Sequence, residues 1–377
     1  MSFWEVTLNG VRCDTQTWDD VLNLDGWGDE VFFGVQTLMT DIQGNLLAWP
    51  DNSRSRIHGQ AQGFVNRVPA GTRTATGGFQ TGDEYPTPNP ADRQNRTLTG
   101  DALPMRIWSG PLDAQTLIAV TPTTWEWDGG QDILTTLFQQ LNTNGVVIAN
   151  AVAAAYSTIN PAAGAKVKPV VEIISGAVPA LTAFLGAFIG QAGDRPIGTQ
   201  QDPQGVRTFK PQTFVLSEAI GERIIANNFG EGPGIIEVEF KDSDNIGGGA
   251  YRIWLEVRRF ETPSDGTMAR ENSRPEVYVF FGGARFWLPS PEWVTRYGGW
   301  GLVQTYPDGA LQAVPTIPKD QTLLREWSAP EVWVIETGKK RWVTTPPLLN
   351  QFGGWAAVRI VPDGALSSVE RGADVTI

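Results

Sequence analysis

The sequence predicts a mainly β protein with an α insertion: a β-sandwich with an inserted helical hairpin, followed by two tandem repeats of about 55 residues. Three observations lead there. Runs rich in β-branched and aromatic residues lie on both sides of a central segment, as strands require. That segment, 131–192, changes to helical spacing. From Asp265 onward the chain repeats itself: shifted by 55 positions, 22 of the 50 residues from Asp265 to Val314 are identical without a gap, which is a tandem duplication. The expected domains are 1–130 with 193–262 for the sandwich, 131–192 for the hairpin and 265–377 for the repeats, divided as 265–319 and 320–374.

Taken in order, Val6, Leu8 and Val11 suggest a first strand broken by Asn9-Gly10. The polar turn Asp25–Glu30 leads into Val31–Met39, a β-branched and aromatic run suited to a largely buried strand. Asp41–Asn45 turns it back into Leu46–Trp49. Residues 50–103, rich in Gly, Thr, Asn, Asp and Pro, read as long loops with short strands, and Met105–Trp108 and Thr116–Val120 as further strands. Ile133, Leu134, Leu137, Phe138 and Leu141 then share one helical face, continued by Ile148, Val152, Ala155 and Ile159 and stopped at Asn160-Pro161. A second helical stretch is expected from Val170 to about Gln191. Strand character returns at Thr213–Leu216, Gly234–Phe240 and Tyr251–Val257, the last two alternating as strands with one solvated face do. Each repeat has one plan: a strand such as Val277–Phe281, a turn at Gly282-Gly283, a strand Arg285–Leu288, a short helix from Pro289-Ser290-Pro291-Glu292 to Gly298-Gly299, a strand near Val303 and the turn Pro307-Asp308-Gly309.

Composition narrows the function. With 29 Lys and Arg against 41 Asp and Glu, the net charge of -12 argues against nucleic acid, whose binding rests on phosphate neutralisation. A lone cysteine, Cys13, permits no internal disulfide. A lone histidine, His58, excludes the usual His-based metal sites and any His-assisted nucleophile that does not use it. The opening residues Met1–Glu5 carry no basic and apolar leader, so synthesis in the cytoplasm is expected. No catalytic motif stands out, and a non-enzymatic role is the expectation.

The candidate ligand-binding residues are those recurring in register in the repeats: Trp287 and Trp342, Tyr297 and Phe352, with Arg285 and Lys340 beside the first pair. Flat rings beside polar groups stack on sugar faces or grip a partner surface. Trp300 and Trp355, each following Gly-Gly at a helix end, read instead as duplicated core. Carboxylates in turns, Asp25, Asp29 and Glu30 and then Asp242 and Asp244, allow a calcium site chemically, although the EF-hand pattern fails at Ile246 and Ile253; otherwise no cofactor is expected. The uncharged run Ile173–Gly193 reads most simply as a buried helix, and alternatively as a hairpin that contacts a membrane, as in pore-forming proteins.

The motifs Pro275-Glu276-Val277-Tyr278-Val279, Arg285–Glu292, Val332–Trp342 and Pro307–Leu311 resemble repeats of bacterial surface and secreted proteins carrying a pattern like VYVIENGKKRWIPSPE. The remainder, with Gly28-Asp29-Glu30-Val31, Thr121–Gly129 and Gly193-Asp194-Arg195-Pro196, is similar to an uncharacterised bacterial family. The resemblance implies an extracellular or cell-surface setting and assigns no functional residue. The expected function is adhesion or binding to a glycan or cell-envelope surface through the aromatic repeats. The alternatives are membrane insertion of 131–192, or a structural subunit that binds copies of itself.

Overall fold

The computed structural model describes residues 2–17, 26–86, 98–127, 129, 133–159, 168–179, 194–243 and 248–376. The chain divides into two compact units, one drawn mostly from residues up to Arg259 and the other from Phe260 onward together with Ser2 and Ser109–Pro111. The fold is mainly β with a helical insertion.

The first unit is built around two sheets. One runs in the order β14 (Ile235–Lys241), β15 (Ala250–Phe260), β1 (Ser2–Thr15), β6 (Glu84–Tyr85), with β7 (Met105–Leu112) also on β1. Asn9-Gly10 does not break β1, because Asn9 sits inside the strand and its Nδ2 donates to Glu256 on β15 at 3.2 Å. The other sheet is centred on β2 (Val31–Asp41) and β8 (Thr116–Glu126), antiparallel from Val31↔Glu126 to Asp41↔Thr116. Beyond β2 lie β3 (Leu46–Arg54) and β4 (Ile57–Gly59), and β5 (Arg67–Pro69) on β4. β8 carries β10 (Arg195–Ile197) and β13 (Thr213–Leu216) on its other edge. Between those two, β11 (Thr199–Gln201) and β12 (Arg207–Phe209) form a short hairpin. The sheets close on one core, to which β1 contributes Val6 and Leu8, β15 Ile253 and Leu255, β2 Phe33 and Val35, and β8 Ile118 and Val120.

Both β2 and β8 are buried along nearly their whole length, so both their faces are covered. The helices α1 (Ile133–Thr143) and α2 (Gly145–Ile159) add to the same core through Leu134, Leu137, Ile148 and Val152. Gly34 of β2 admits α1: a Cβ there would lie 2.4 Å from Leu134 Cδ1. Two residues on, Gln36 Nε2 donates to Asn142 Oδ1 at 2.7 Å. The expected second helical stretch is not helical at its start. Val170–Val171 (β9) pairs with β13, since adjacent β-branched residues lose side-chain freedom in a helix and pack well on a pleated edge. Ile174–Ala177 (α3) is a single turn, and 180–193 lies outside the described residues. Among the described residues no helix is long and apolar enough to cross a membrane. A further helix, α4 (Glu218–Ala226), starts at Ser217, whose hydroxyl accepts from Ile220 N at 3.2 Å.

The second unit holds the repeats. The first is a four-stranded sheet ordered β18 (Ala284–Leu288), β17 (Val277–Phe281), β16 (Met268–Glu271), β19 (Val303–Tyr306); α5 (Pro291–Arg296) follows β18. The second repeats it as β22 (Lys339–Trp342), β21 (Val332–Glu336), β20 (Leu323–Glu326), β23 (Arg359–Val361), with α6 (Pro346–Gln351). One face of the first sheet, with Val277, Val279, Phe286 and Leu288, shares a buried cluster with Leu324, Ile335, Leu366 and Val369 of the second. Those four correspond to Ala269, Phe280, Leu311 and Val314, which form a separate cluster in the first repeat. Side chains alternate across a strand, so opposite faces of the two copies meet. The repeats stack face to back, as solenoid units do.

Candidate functional site

The hairpin β17–β18 brings Tyr278 opposite Trp287, and β21–β22 brings Trp333 opposite Trp342. Trp287 stands 55 % exposed and Trp342 is half-buried. The helix after each hairpin begins with Pro at its first position, where a missing N–H is harmless. It ends in a glycine pair of positive φ: Gly298 at 117° and Gly299 at 90°, Gly353 at 100° and Gly354 at 68°. That sharp exit delivers the next residue to a single 3-10 turn on the surface. Trp300 and Trp355, expected as core, are therefore 53 % and 60 % exposed. Helix periodicity could not reveal this, because the glycines reset the direction of the chain.

In the second repeat Trp342 and Trp355 border a groove of roughly 210 Å³. Val332, Val343 and Leu349 form its apolar lining, all three buried, and Glu331, Thr344 and Thr345 supply its polar groups. Fifty-five residues earlier the same positions hold Trp287 and Trp300, Val277, Leu288 and Val294, and Glu276, Pro289 and Ser290. Glu276 and Glu331 were not singled out from the sequence, yet the repeated Pro-Glu-Val was visible there.

The duplicated charges fall into two groups. Most hold the repeat together. Glu271 Oε1 accepts from Leu311 N and Glu326 Oε1 from Leu366 N, both at 2.9 Å. Asp308 accepts from Ser273 N and Asp363 from Ser328 N, both at 2.8 Å. Arg285 donates to Leu311 O at 2.7 Å with its guanidinium 5.2 Å from the Tyr278 ring centre. Lys340 does the same in the second copy, donating to Leu366 O at 2.5 Å and lying 5.4 Å from the Trp333 ring centre. Arg285 and Lys340 thus brace the Pro-Asp-Gly-Ala-Leu turn. The carboxylates of Glu276 and Glu331, by contrast, engage no protein partner among the described residues.

The other candidates lie elsewhere. Tyr297 is half-buried between the repeats, its hydroxyl donating to Ile360 O at 2.8 Å and its ring 6.4 Å from Phe281. Burial pushes that phenol up. Phe352 packs against the cluster of Leu348, Leu349 and Val375. Of the six candidate ligand-binding residues, Trp342 lines the groove, Trp287 is exposed at the equivalent position of the first repeat, and the other four pack or hydrogen-bond internally.

Of the calcium candidates, Asp25 and Asp244 lie outside the described residues. Asp29 is buried and accepts from Thr17 N at 2.8 Å and from the Tyr251 hydroxyl at 2.5 Å. Burial raises its pKa to about 6 against the lowering effect of those bonds. Glu30 pairs with Arg67 at 3.2 Å. Asp242 Oδ1 accepts from Gly198 N and Thr199 N, and Oδ2 from Gly249 N. These carboxylates are occupied as turn braces, and among the described residues no group of three or more His, Cys, Asp or Glu could hold a metal. His58 is buried too: its Nε2 accepts from Leu103 N at 3.1 Å, which leaves the proton on Nδ1, facing Arg56 O at 2.8 Å. Burial lowers its pKa to about 4. Cys13 is buried, and burial pushes its thiol well above the ordinary value, so it is no nucleophile.

No protein-family model, curated protein or solved structure matches the chain.

Proposed function

We propose that this chain is a non-enzymatic binding protein that recognises a glycan of a cell-envelope surface through the duplicated tryptophans of its C-terminal repeats, which border a groove in the second repeat. One observation carries this reading: Trp287, Trp300 and Trp355 are each more than half exposed, and Trp342 lines a groove, at positions kept in both copies. A duplicated tryptophan in a core is explained by packing; an exposed one is not. Indole faces offer large rigid contact area at small entropy cost, and a sugar ring presents a flat patch of C–H groups of matching size. Threonine hydroxyls and a carboxylate at the rim supply hydrogen bonds that fix orientation. The first copy repeats both tryptophans and the glutamate, so a polymeric ligand that touches both copies gains avidity.

The test is a glycan array and a cell-wall pull-down with the full chain and its Trp287→Ala/Trp342→Ala double variant. Retention of the wild type and its loss in a folded double variant is the expected outcome. Equal binding by both, or no binding by either, contradicts the reading.

A further inference from the structure

We propose that the groove of the second repeat selects saccharides bearing free amino groups, with Glu331 as the recognising carboxylate and Glu276 as its exposed counterpart in the first copy. This deepens the glycan reading and rests on it. Other glutamates of the repeats have partners within the protein. Glu271 and Glu326 accept from backbone N–H groups, Glu336 pairs with Arg341, and Glu370 with Lys339 at 2.5 Å. Glu276 and Glu331 are identical in both copies, yet neither has a hydrogen bond or ion pair with the protein among the described residues. Glu331 lines the groove of the second copy and Glu276 is exposed in the first, so both charges are available to a ligand.

The surroundings decide the sign of that ligand. Among the described residues Glu331 is the one charged side chain lining the groove, half-buried, and neither Lys nor Arg lines it. The two indoles that line the groove with it, Trp342 and Trp355, have negative ring faces that attract a cation. An ammonium group is therefore favoured twice, by the carboxylate and by the rings, while a uronate or phosphate would meet only repulsion. The net charge of -12 acts in the same direction at longer range. Thr344 and Thr345 offer hydroxyls to the sugar's own hydroxyls. A hexosamine with an unacetylated amine combines the three chemistries: a flat apolar ring face, hydroxyls and a cation.

The experiment measures binding of the full chain to four soluble probes at low salt and pH 6: a glucosamine oligomer, its N-acetylated counterpart, a neutral glucose oligomer and a polygalacturonate oligomer. Choline chloride serves as a fifth probe carrying an ammonium without a sugar. The expected result is tightest binding to the glucosamine oligomer, about tenfold or more above the N-acetylated one, from the combined cation–π and ion-pair terms. The Glu276→Gln/Glu331→Gln variant, which keeps shape and folding, is expected to erase that preference while keeping the weaker binding to neutral sugars. Binding of neutral oligomers with no amine preference, or a preference that survives the double Gln variant, overturns the inference and leaves the glycan reading standing. Choline bound as tightly as the glucosamine oligomer also overturns it, since the ammonium alone would then be the ligand. Binding of no saccharide at all defeats the underlying reading as well.

Discussion

Tyr297 illustrates how a residue can recur in register and still serve the interior. Its ring lies between Phe281 and Trp293 and its hydroxyl reaches Ile360 O of the other copy, whereas its counterpart Phe352 has no hydroxyl to offer. Replacing Tyr297 by Phe should lower the stability of the repeats by about 1 kcal/mol, the usual net value of one hydrogen bond. Glycan binding should stay unchanged, as read by urea unfolding beside a binding isotherm. Weakened binding at unchanged stability would return Tyr297 to the site. The identity of the residues was legible in the sequence; their direction was not. Arg285 and Lys340 stand beside the tryptophan pair in the sequence, but each turns back onto a carbonyl 26 residues ahead in the chain. Trp300 and Trp355 looked buried because indoles usually are, and two positive-φ glycines turn them out.

At the scale of the element, local pattern and tertiary contact compete. The strands β2, β8, β14 and β15 and the hairpins of the repeats followed from β-branched runs and alternation. The stretch that opens at Val170 cannot be read that way: Val170 and Val171 sit within a long apolar run whose period suits a helix, and only the edge of β13 makes them a strand. Helix α4 had a local signal, the N-cap Ser217 followed by the first-turn acid Glu218, whose weight depends on what the helix packs against. That partner is Trp4. A Cβ added to Gly221 would lie 2.5 Å from the Trp4 ring, which is buried and cannot retreat. Gly221→Ala therefore sets helix propensity, worth about 1 kcal/mol in favour of Ala, against overpacking of roughly 1–3 kcal/mol. Net destabilisation in a thermal or urea melt is the expected result, and a stabilised variant would show that α4 can shift off Trp4.

For the molecule as a whole, two buried titratable groups act in opposite directions. Asp29 holds its proton until about pH 6 when folded, while an unfolded aspartate releases it near pH 4. Between those values the folded state binds more protons, so rising pH removes stability. His58 stays neutral down to about pH 4 when folded, whereas the unfolded side chain takes up a proton below about pH 6.5. There the unfolded state binds more protons, so rising pH adds stability. The two slopes offset each other from about pH 4 to 6, each bounded by about 1.4 kcal/mol per pH unit. Asp29→Asn, which can still accept from Thr17 and Tyr251, should leave the His58 term alone, so that urea midpoints climb more steeply with pH than in the wild type. A variant whose midpoints track the wild type across this range would show that Asp29 titrates normally.

On the proposed reading, the duplicated tryptophans bind and do not merely pack. The most direct measurement is a depletion isotherm of the full chain on cell-wall polysaccharide, compared with Trp287→Ala, Trp342→Ala and the double variant, each checked for an unchanged melting temperature. Each single change should weaken binding by about 2 kcal/mol or less as the other site compensates, and the double change should lose about 30-fold or more, as paired aromatic anchors do. Isotherms that superimpose across all four folded proteins would contradict the account and make the exposed indoles surface without function.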